Sequence, residues 1–392
     1  MLHRGAPPTK RPRREAQPPR PERPPGGSLP SSAASPAPAL PSTCQIIKAE
    51  ELRRRRAQER SRKFGNQQFV TEQGKSFLET RSVSTATAAS YLKFFDGFNL
   101  WCQRSGLPTA STTELEESAL VWMHEKYFEG ENSHMGNTLL AALVFFRKDL
   151  QRRERQLPRV REALKGWTKL SPPRSRLPLP WKAVVLIILE LVKANMLLMA
   201  QAVALTFVLY LRPSDTLSIT HANIVPPAAV SLKHRGLWSV TLHAFEDELP
   251  SKTGEFDESI TIDNVEFRWC ELMLASLKQR RQDRVKVFNF THAAWAREFG
   301  LACQRAGLGS LGPVVLYQLR HGGATHELVT KAREPVGLQK RGRWRTVASL
   351  RRYEKGGRLA EQISRMQPPQ LARAEKLIPQ IGAILCGTWK PP

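Results

Sequence analysis

Apolar side chains recur at helical spacing through the first patterned part of the chain. Ala88, Tyr91, Leu92, Phe95, Phe98 and Trp101 share one helix face, and Ser82 or Ser84 ahead of them can cap it. Residues 115–127 and 135–150 give two more helical patterns, and a strongly basic helix is predicted over 151–167. Residues 63–170 therefore read as an all-helical domain. The stretch 171–180, punctuated by Pro172, Pro173, Pro178 and Pro180, reads as a linker. From 183 to 211 the chain is almost wholly apolar, but Glu190, Lys193 and Asn195 divide it. Two buried core helices follow from that, not a membrane span. Over 228–262 the period falls to two, with Val230-Ser231-Leu232, Trp238 to Leu242 and Ser259 to Ile262 alternating as strands do. Helical patterning resumes at Asn264. The expected second domain, 181–367, is mostly α with a small antiparallel sheet, followed by a C-terminal tail, 368–392.

The ends and the charge alter this picture. Residues 1–62 are expected to be a disordered, basic, proline-rich tail, because its proline-rich first part has too few aliphatic side chains to offset ordering entropy. The runs Lys10-Arg11-Pro12-Arg13-Arg14 and Arg53 to Arg56 read as nuclear import signals, phosphate contacts or plain solvated charge. A nuclear location is the expectation. Over 392 residues the formal charge is +25, which calls for a polyanionic partner, with nucleic acid first. No lipidation motif or long basic amphipathic helix favours a membrane, and the start of the chain lacks the apolar core of a secretory signal. Cys44, Cys102, Cys270, Cys303 and Cys386 are far apart and form no CxxC, which argues against a disulfide framework or zinc site. His321, His326 and Glu327 are spaced onto different helix faces, so no metal site is expected.

Four separated features carry candidate chemistry: Leu211-Arg212-Pro213-Ser214-Asp215; Lys252 in a turn between two strands; Tyr317-Gln318-Leu319-Arg320-His321-Gly322-Gly323; and Gly342-Arg343-Trp344, followed by Thr346 and Tyr353. In this order they resemble the tyrosine recombinase (phage integrase) family, whose boxes run Arg, hairpin Lys, His-x-x-Arg, His or Trp after Gly, and Tyr. The Gly-Arg-Trp form and the Lys-Thr turn look most like recombinases of eukaryotic mobile elements, the DIRS and Crypton groups. The resemblance covers about residues 80–370. It implies a mainly α fold: a SAM-like helical core-binding domain and a mixed α+β integrase-type catalytic domain, which together clamp double-stranded DNA as a homo-tetramer. It implies no metal and no nucleotide cofactor.

The resemblance also implies roles. Arg212 and Arg320 would clamp the phosphoryl oxygens, since guanidinium is permanently charged and forks two hydrogen bonds onto phosphate; a structural salt bridge to Asp215 is the competing reading of Arg212. Lys252 would protonate the departing 5′ oxygen, with Lys233, Arg235 and Lys278 as competing cations. Tyr353, placed on a helix with Thr346, Ser349 and Leu350, would be the nucleophile, against the alternative of a core tyrosine. Trp344 would offer its indole N–H to the phosphate. Tyr317 stands where His is usual and cannot become a cation. Asp215 and His321 read as structural support. Arg147, Lys148, Arg152, Arg153, Arg343, Arg345, Arg351 and Arg352 are the expected DNA contacts. Leu377, Ile378, Ile381, Ile384 and Leu385 of the tail are expected to reach a neighbouring protomer. The expected activity is site-specific strand exchange through a 3′-phosphotyrosyl link. A DNA-gripping protein that no longer cuts, and a type IB topoisomerase, are the alternatives.

Overall fold

The structure, a computed structural model, describes residues 75–150, 156–172, 176–231, 234–244, 255–279 and 285–389, with Glu51, Arg54, Arg55 and 57–62. It is mainly α with one small antiparallel sheet and one short hairpin. The chain divides into two compact units between Ser171 and Pro172. Within the expected tail, the described residues of 51–62 are helical, with Arg55 paired to Glu51 one turn away. The rest of that tail lies outside the described residues.

The first unit holds α1 (Phe77–Thr80), α2 (Thr85–Ser105), α3 (Thr112–Phe128), α4 (Ser133–Phe146) and α5 (Pro158–Leu170). The Ser84 hydroxyl accepts the Thr87 amide and starts α2; a reciprocal Ser111–Glu114 capping box starts α3. Their apolar faces meet in a core of Phe98, Leu115, Trp122, Leu139, Leu143 and Trp167. The basic helix starts at Pro158; Arg152, Arg153 and Arg155 lie outside the described residues.

The second unit is built around α6 (Trp181–Lys193) and α7 (Leu197–Val208). The β-branched run Val184, Val185, Ile187 and Ile188 has modest helix propensity, yet every one is fully covered, so burial decides the conformation. After the short α8 (Pro213–Ser218), β1 (Ile224–Val225), β4 (Ser239–Leu242) and β5 (Glu258–Thr261) form an antiparallel sheet in the order β1-β4-β5. Val240 pairs with both Ile224 and Ile260, so one face lines the core. Between them β2 (Ala229–Ser231) and β3 (His234–Arg235) form a separate hairpin. The remaining helices are α9 (Trp269–Gln279), α10 (His292–Arg305), α11 (Tyr317–Val329), α12 (Pro335–Gly342), α13 (Val347–Leu350), α14 (Gly356–Ser364), α15 (Pro368–Leu377) and α16 (Ile381–Cys386). Among the described residues no helix is long and apolar enough to cross a membrane.

One expectation is corrected here. The C-terminal segment packs within its own chain: Leu377, Ile381, Ile384 and Leu385 are buried in the core of the second unit, and Ile378 packs against it. Arg373 pairs with the buried Glu190 of α6 at 3.0 Å, and Gln201 donates to the Leu385 carbonyl at 2.7 Å. The same apolar spacing that suggested a partner is satisfied in cis. Glu190, which interrupts the apolar run, is the acceptor that anchors this segment.

Helix α11 lies directly on α7. A Cβ at Gly323 would fall 1.9 Å from the Phe207 carbonyl oxygen and 2.9 Å from the Tyr210 ring, a backbone approach that only glycine permits. Gly323→Ala is therefore expected to cost about 3 kcal/mol in chemical denaturation, the upper end for an overpacked core, because backbone must shift. Gly357→Ala, where a Cβ meets nothing within 4 Å, should leave stability unchanged or raise it.

Candidate active site

Arg212 is the N-cap of α8, immediately after the apolar α7 ends. Its guanidinium lies 3.4 Å from Asp215, which is buried and also receives Arg343 at 2.9 Å. His243, at the end of β4, approaches the other Asp215 oxygen at 3.7 Å. Burial alone would raise the Asp215 carboxyl. The nearby His243 and the charges of Arg343 and Arg212 outweigh that and hold it well below the usual carboxylate range. Asp215 thus stays ionised and fixes two arginines.

Arg320, on α11, is only 1% exposed. Its two terminal nitrogens donate to the carbonyls of Tyr210 and Gly342, while Nε has no partner among the described residues. The guanidinium carbon also sits 5.2 Å from the centre of the Trp344 ring. The Gly-Arg-Trp motif explains itself locally. A Cβ at Gly342 would lie 2.3 Å from the Trp344 ring, so glycine is needed beneath it. Arg343 closes α12 in the left-handed region, φ 56°, which turns its side chain back toward Asp215 and toward Glu258 of β5, 3.4 Å away. The charges of Arg212 and Arg320 both act on Arg343, so the three guanidiniums share one field.

The Tyr353 ring is sandwiched between Trp344, at 4.1 Å between centroids, and His321, at 4.7 Å. It is 5% exposed. Its position differs from the expected one: α13 ends at Leu350, and Tyr353 stands in the turn that follows, its amide donating to the Leu350 carbonyl at 2.7 Å. Thr346 caps α13, and Thr325 of α11 donates to the Tyr353 carbonyl at 2.8 Å. The tyrosine is therefore held by ring stacking and backbone contacts, not by helical register.

His321 lies between Tyr353 and Tyr317, whose ring centre is 5.6 Å away. Burial first, then the charges of Lys355, Arg320, Arg176 and Arg352, push its imidazole down to about 3. It is neutral at physiological pH, and its Nδ1 has no partner among the described residues. Tyr317 lines a cleft of about 520 Å³ together with Arg176, Arg212, Ser214 and His292.

The structure thus brings Arg212, Asp215, Tyr317, Arg320, His321, Trp344 and Tyr353 into one connected cluster, and Lys252 lies outside the described residues. Of the competing cations, Lys233 also lies outside them, and Lys278 donates to the His221 carbonyl at 2.9 Å. The expected DNA contacts separate. Arg351 and Arg352 are exposed, and Arg345 is exposed beside Glu255 at 3.8 Å. Arg343 is not outward-facing: its side chain is 5% exposed and held by carboxylates. Arg147 is engaged internally, bonded to Asp149 and to the carbonyls of Thr109 and Ala110. Lys148 falls in a short 3-10 turn. Sequence reasoning passed over Arg176, His243, Glu258 and Lys355, because none belongs to a box and each reaches the cluster only through folding. His326 and Glu327 go to other partners, Glu266 and Arg333.

No protein-family model and no curated protein matches the chain. Among solved structures, it is similar to a XerH site-specific recombinase bound to a palindromic difH substrate in a post-cleavage complex. There the identity is 14%, the TM-score 0.44, and the match covers 72% of this chain and 81% of that one. The XerA recombinase gives 16% identity and a TM-score of 0.34 over 74% and 96% of the two chains. The pre-cleavage XerH complex with difH gives 14% and 0.34 over 69% and 88%.

The depressed His321 fixes a pH dependence. Its folded value, about 3, lies below the ordinary histidine value of roughly 6.5, so between them the unfolded chain binds the extra proton. Stability should fall as pH drops from about 6.5, by about 1.4 kcal/mol per pH unit at most from this group. His321→Gln should flatten that limb in urea titrations run from pH 6.5 to 4.5; an identical slope in both proteins would show the imidazole is not buried neutral.

Proposed function

We propose that this chain is a site-specific DNA recombinase of the tyrosine recombinase type, which breaks and rejoins double-stranded DNA through a covalent link at Tyr353. The Tyr353 oxygen bonds to phosphorus as the bond to the 5′ oxygen breaks. The phenol gives up its proton to solvent and the departing 5′ oxygen takes one, from Lys252 by the sequence reading. A free 5′ hydroxyl from a partner strand then reverses the step, so no external energy source enters. Arg212 and Arg320 supply fixed positive charge where the phosphoryl oxygens gain negative charge. A homo-tetramer on DNA and a nuclear location belong to the same reading, the first from the family resemblance and the second from the basic run at Lys10 to Arg14.

One observation carries it: Tyr353 stacks on Trp344, whose ring is itself covered by the guanidinium of the buried Arg320. A core tyrosine has no need of a buried guanidinium over its stacking partner, since buried cations are expensive to hold.

A second reading has its own support. Tyr353 is almost covered, and both terminal nitrogens of Arg320 are bonded to carbonyls. Both features suit a protein that grips DNA without cutting it.

Nicked duplexes taken from the DNA flanking the gene separate the two. The active protein should give a detergent-resistant protein–DNA adduct that Tyr353→Phe abolishes with duplex affinity unchanged. Arg212→Ala should slow adduct formation by about 10²–10³-fold. A wild-type chain that binds these duplexes and forms no adduct establishes the gripping function instead.

A further inference from the structure

The arginines of the cluster are not equally able to meet a ligand. Arg320 is buried with both terminal nitrogens donating to carbonyls. Arg343 is buried against Asp215 and Glu258. Arg212 opens into the cleft but shares the Asp215 carboxylate. Arg176 differs from all three. It is exposed, it lines the same cleft, and among the described residues no carboxylate pairs with it.

Arg176 is also held in place. Its guanidinium carbon lies 4.7 Å from the centre of the Tyr317 ring. Its backbone carbonyl accepts from Lys355 Nζ at 2.7 Å, two residues beyond Tyr353, and the next carbonyl, of Leu177, accepts from Gln318 at 3.2 Å. A guanidinium held over an aromatic face keeps N–H groups available, and ordering it costs little further entropy when an anion arrives. Ser214 and His292 line the cleft beside it and add polar groups of the kind that phosphate oxygens accept from.

We propose that Arg176 is a phosphodiester-binding residue of this cleft, acting with Arg212, and that Tyr317 serves as its aromatic platform. Tyr317 cannot itself carry positive charge; Arg176 places a permanent charge over that ring. The Tyr317 ring is in turn 5.6 Å from that of His321, which stacks on Tyr353, so a chain of ring contacts links Arg176 to the tyrosine. The proposal rests on the DNA-cleaving reading above for the chemistry at that phosphate, but the binding itself is independent of whether Tyr353 reacts.

The test uses the full chain, its Arg176→Ala and Arg176→Lys variants, and a duplex of unrelated sequence titrated over a series of salt concentrations. Arg176→Ala should make the slope of log affinity against log salt shallower by about one, and Arg176→Lys should restore most of it. An unchanged slope in Arg176→Ala overturns the proposal. This measurement needs no cleavage, so a wild-type chain without adduct overturns the Tyr353 reading alone. Where the adduct does form, Arg176→Ala should slow it at least about tenfold, and an equal rate removes Arg176 from the reaction. An unchanged melting temperature in Arg176→Ala checks that the exposed side chain does not act through folding.

Discussion

A guanidinium almost wholly removed from water joins three otherwise distant pieces of the second unit. Arg320 reaches from α11 to the Tyr210 carbonyl at the end of α7 and to the Gly342 carbonyl at the end of α12. Such a charge is costly to bury unless its donors are met, and helix ends are where carbonyls remain unspent. Both carbonyls stand at left-handed turns: Tyr210 itself has φ 49°, and Arg343, next to Gly342, has φ 56°. Each non-glycine residue in that region costs roughly 1 kcal/mol. The turns are retained because they aim the backbone at a buried cation.

From this contact the rest of the cluster is positioned. Fixing Gly342 fixes the Trp344 ring across it, and Trp344 gives Tyr353 one of its two stacking surfaces. Turning Arg343 inward brings it to Asp215, which in turn holds Arg212, and to Glu258 on β5. Glu258 and His243 stand at the two ends of the segment 245–254 that carries Lys252. One ion-paired network therefore runs from the end of α7 to the base of the strand connection. Positive charge outweighs negative in this network.

The opposite face of Tyr353 is set by α11. His321 follows Arg320 directly, so the helix that buries the guanidinium also presents a neutral imidazole to the phenol ring. Arg176 and Lys355 extend the positive field over the same helix from the segment ahead of α6 and the turn behind Tyr353. The cleft beside Tyr317 is where this field meets solvent.

Much of the architecture was legible in residue pattern. The period of the apolar positions located α2 to α4, the paired helices α6 and α7, and the change to strands, because burial of one face imposes that period wherever the face ends up. The order of Arg212, Arg320, Trp344 and Tyr353 was also readable, since it is a property of the chain alone. Pattern failed where the deciding partner is remote. Nothing near Arg343 in sequence says that it faces Asp215, 128 residues earlier by numbering. Nothing near Leu377 or Ile381 says that α6 covers them, and nothing near Tyr353 says that α13 stops at Leu350. Sequence by itself determined which segments must hide apolar surface and which side chains hold permanent charge. Only the tertiary structure decided which charges are neutralised inside and which face a cleft, because that depends on carbonyls and carboxylates brought close in space.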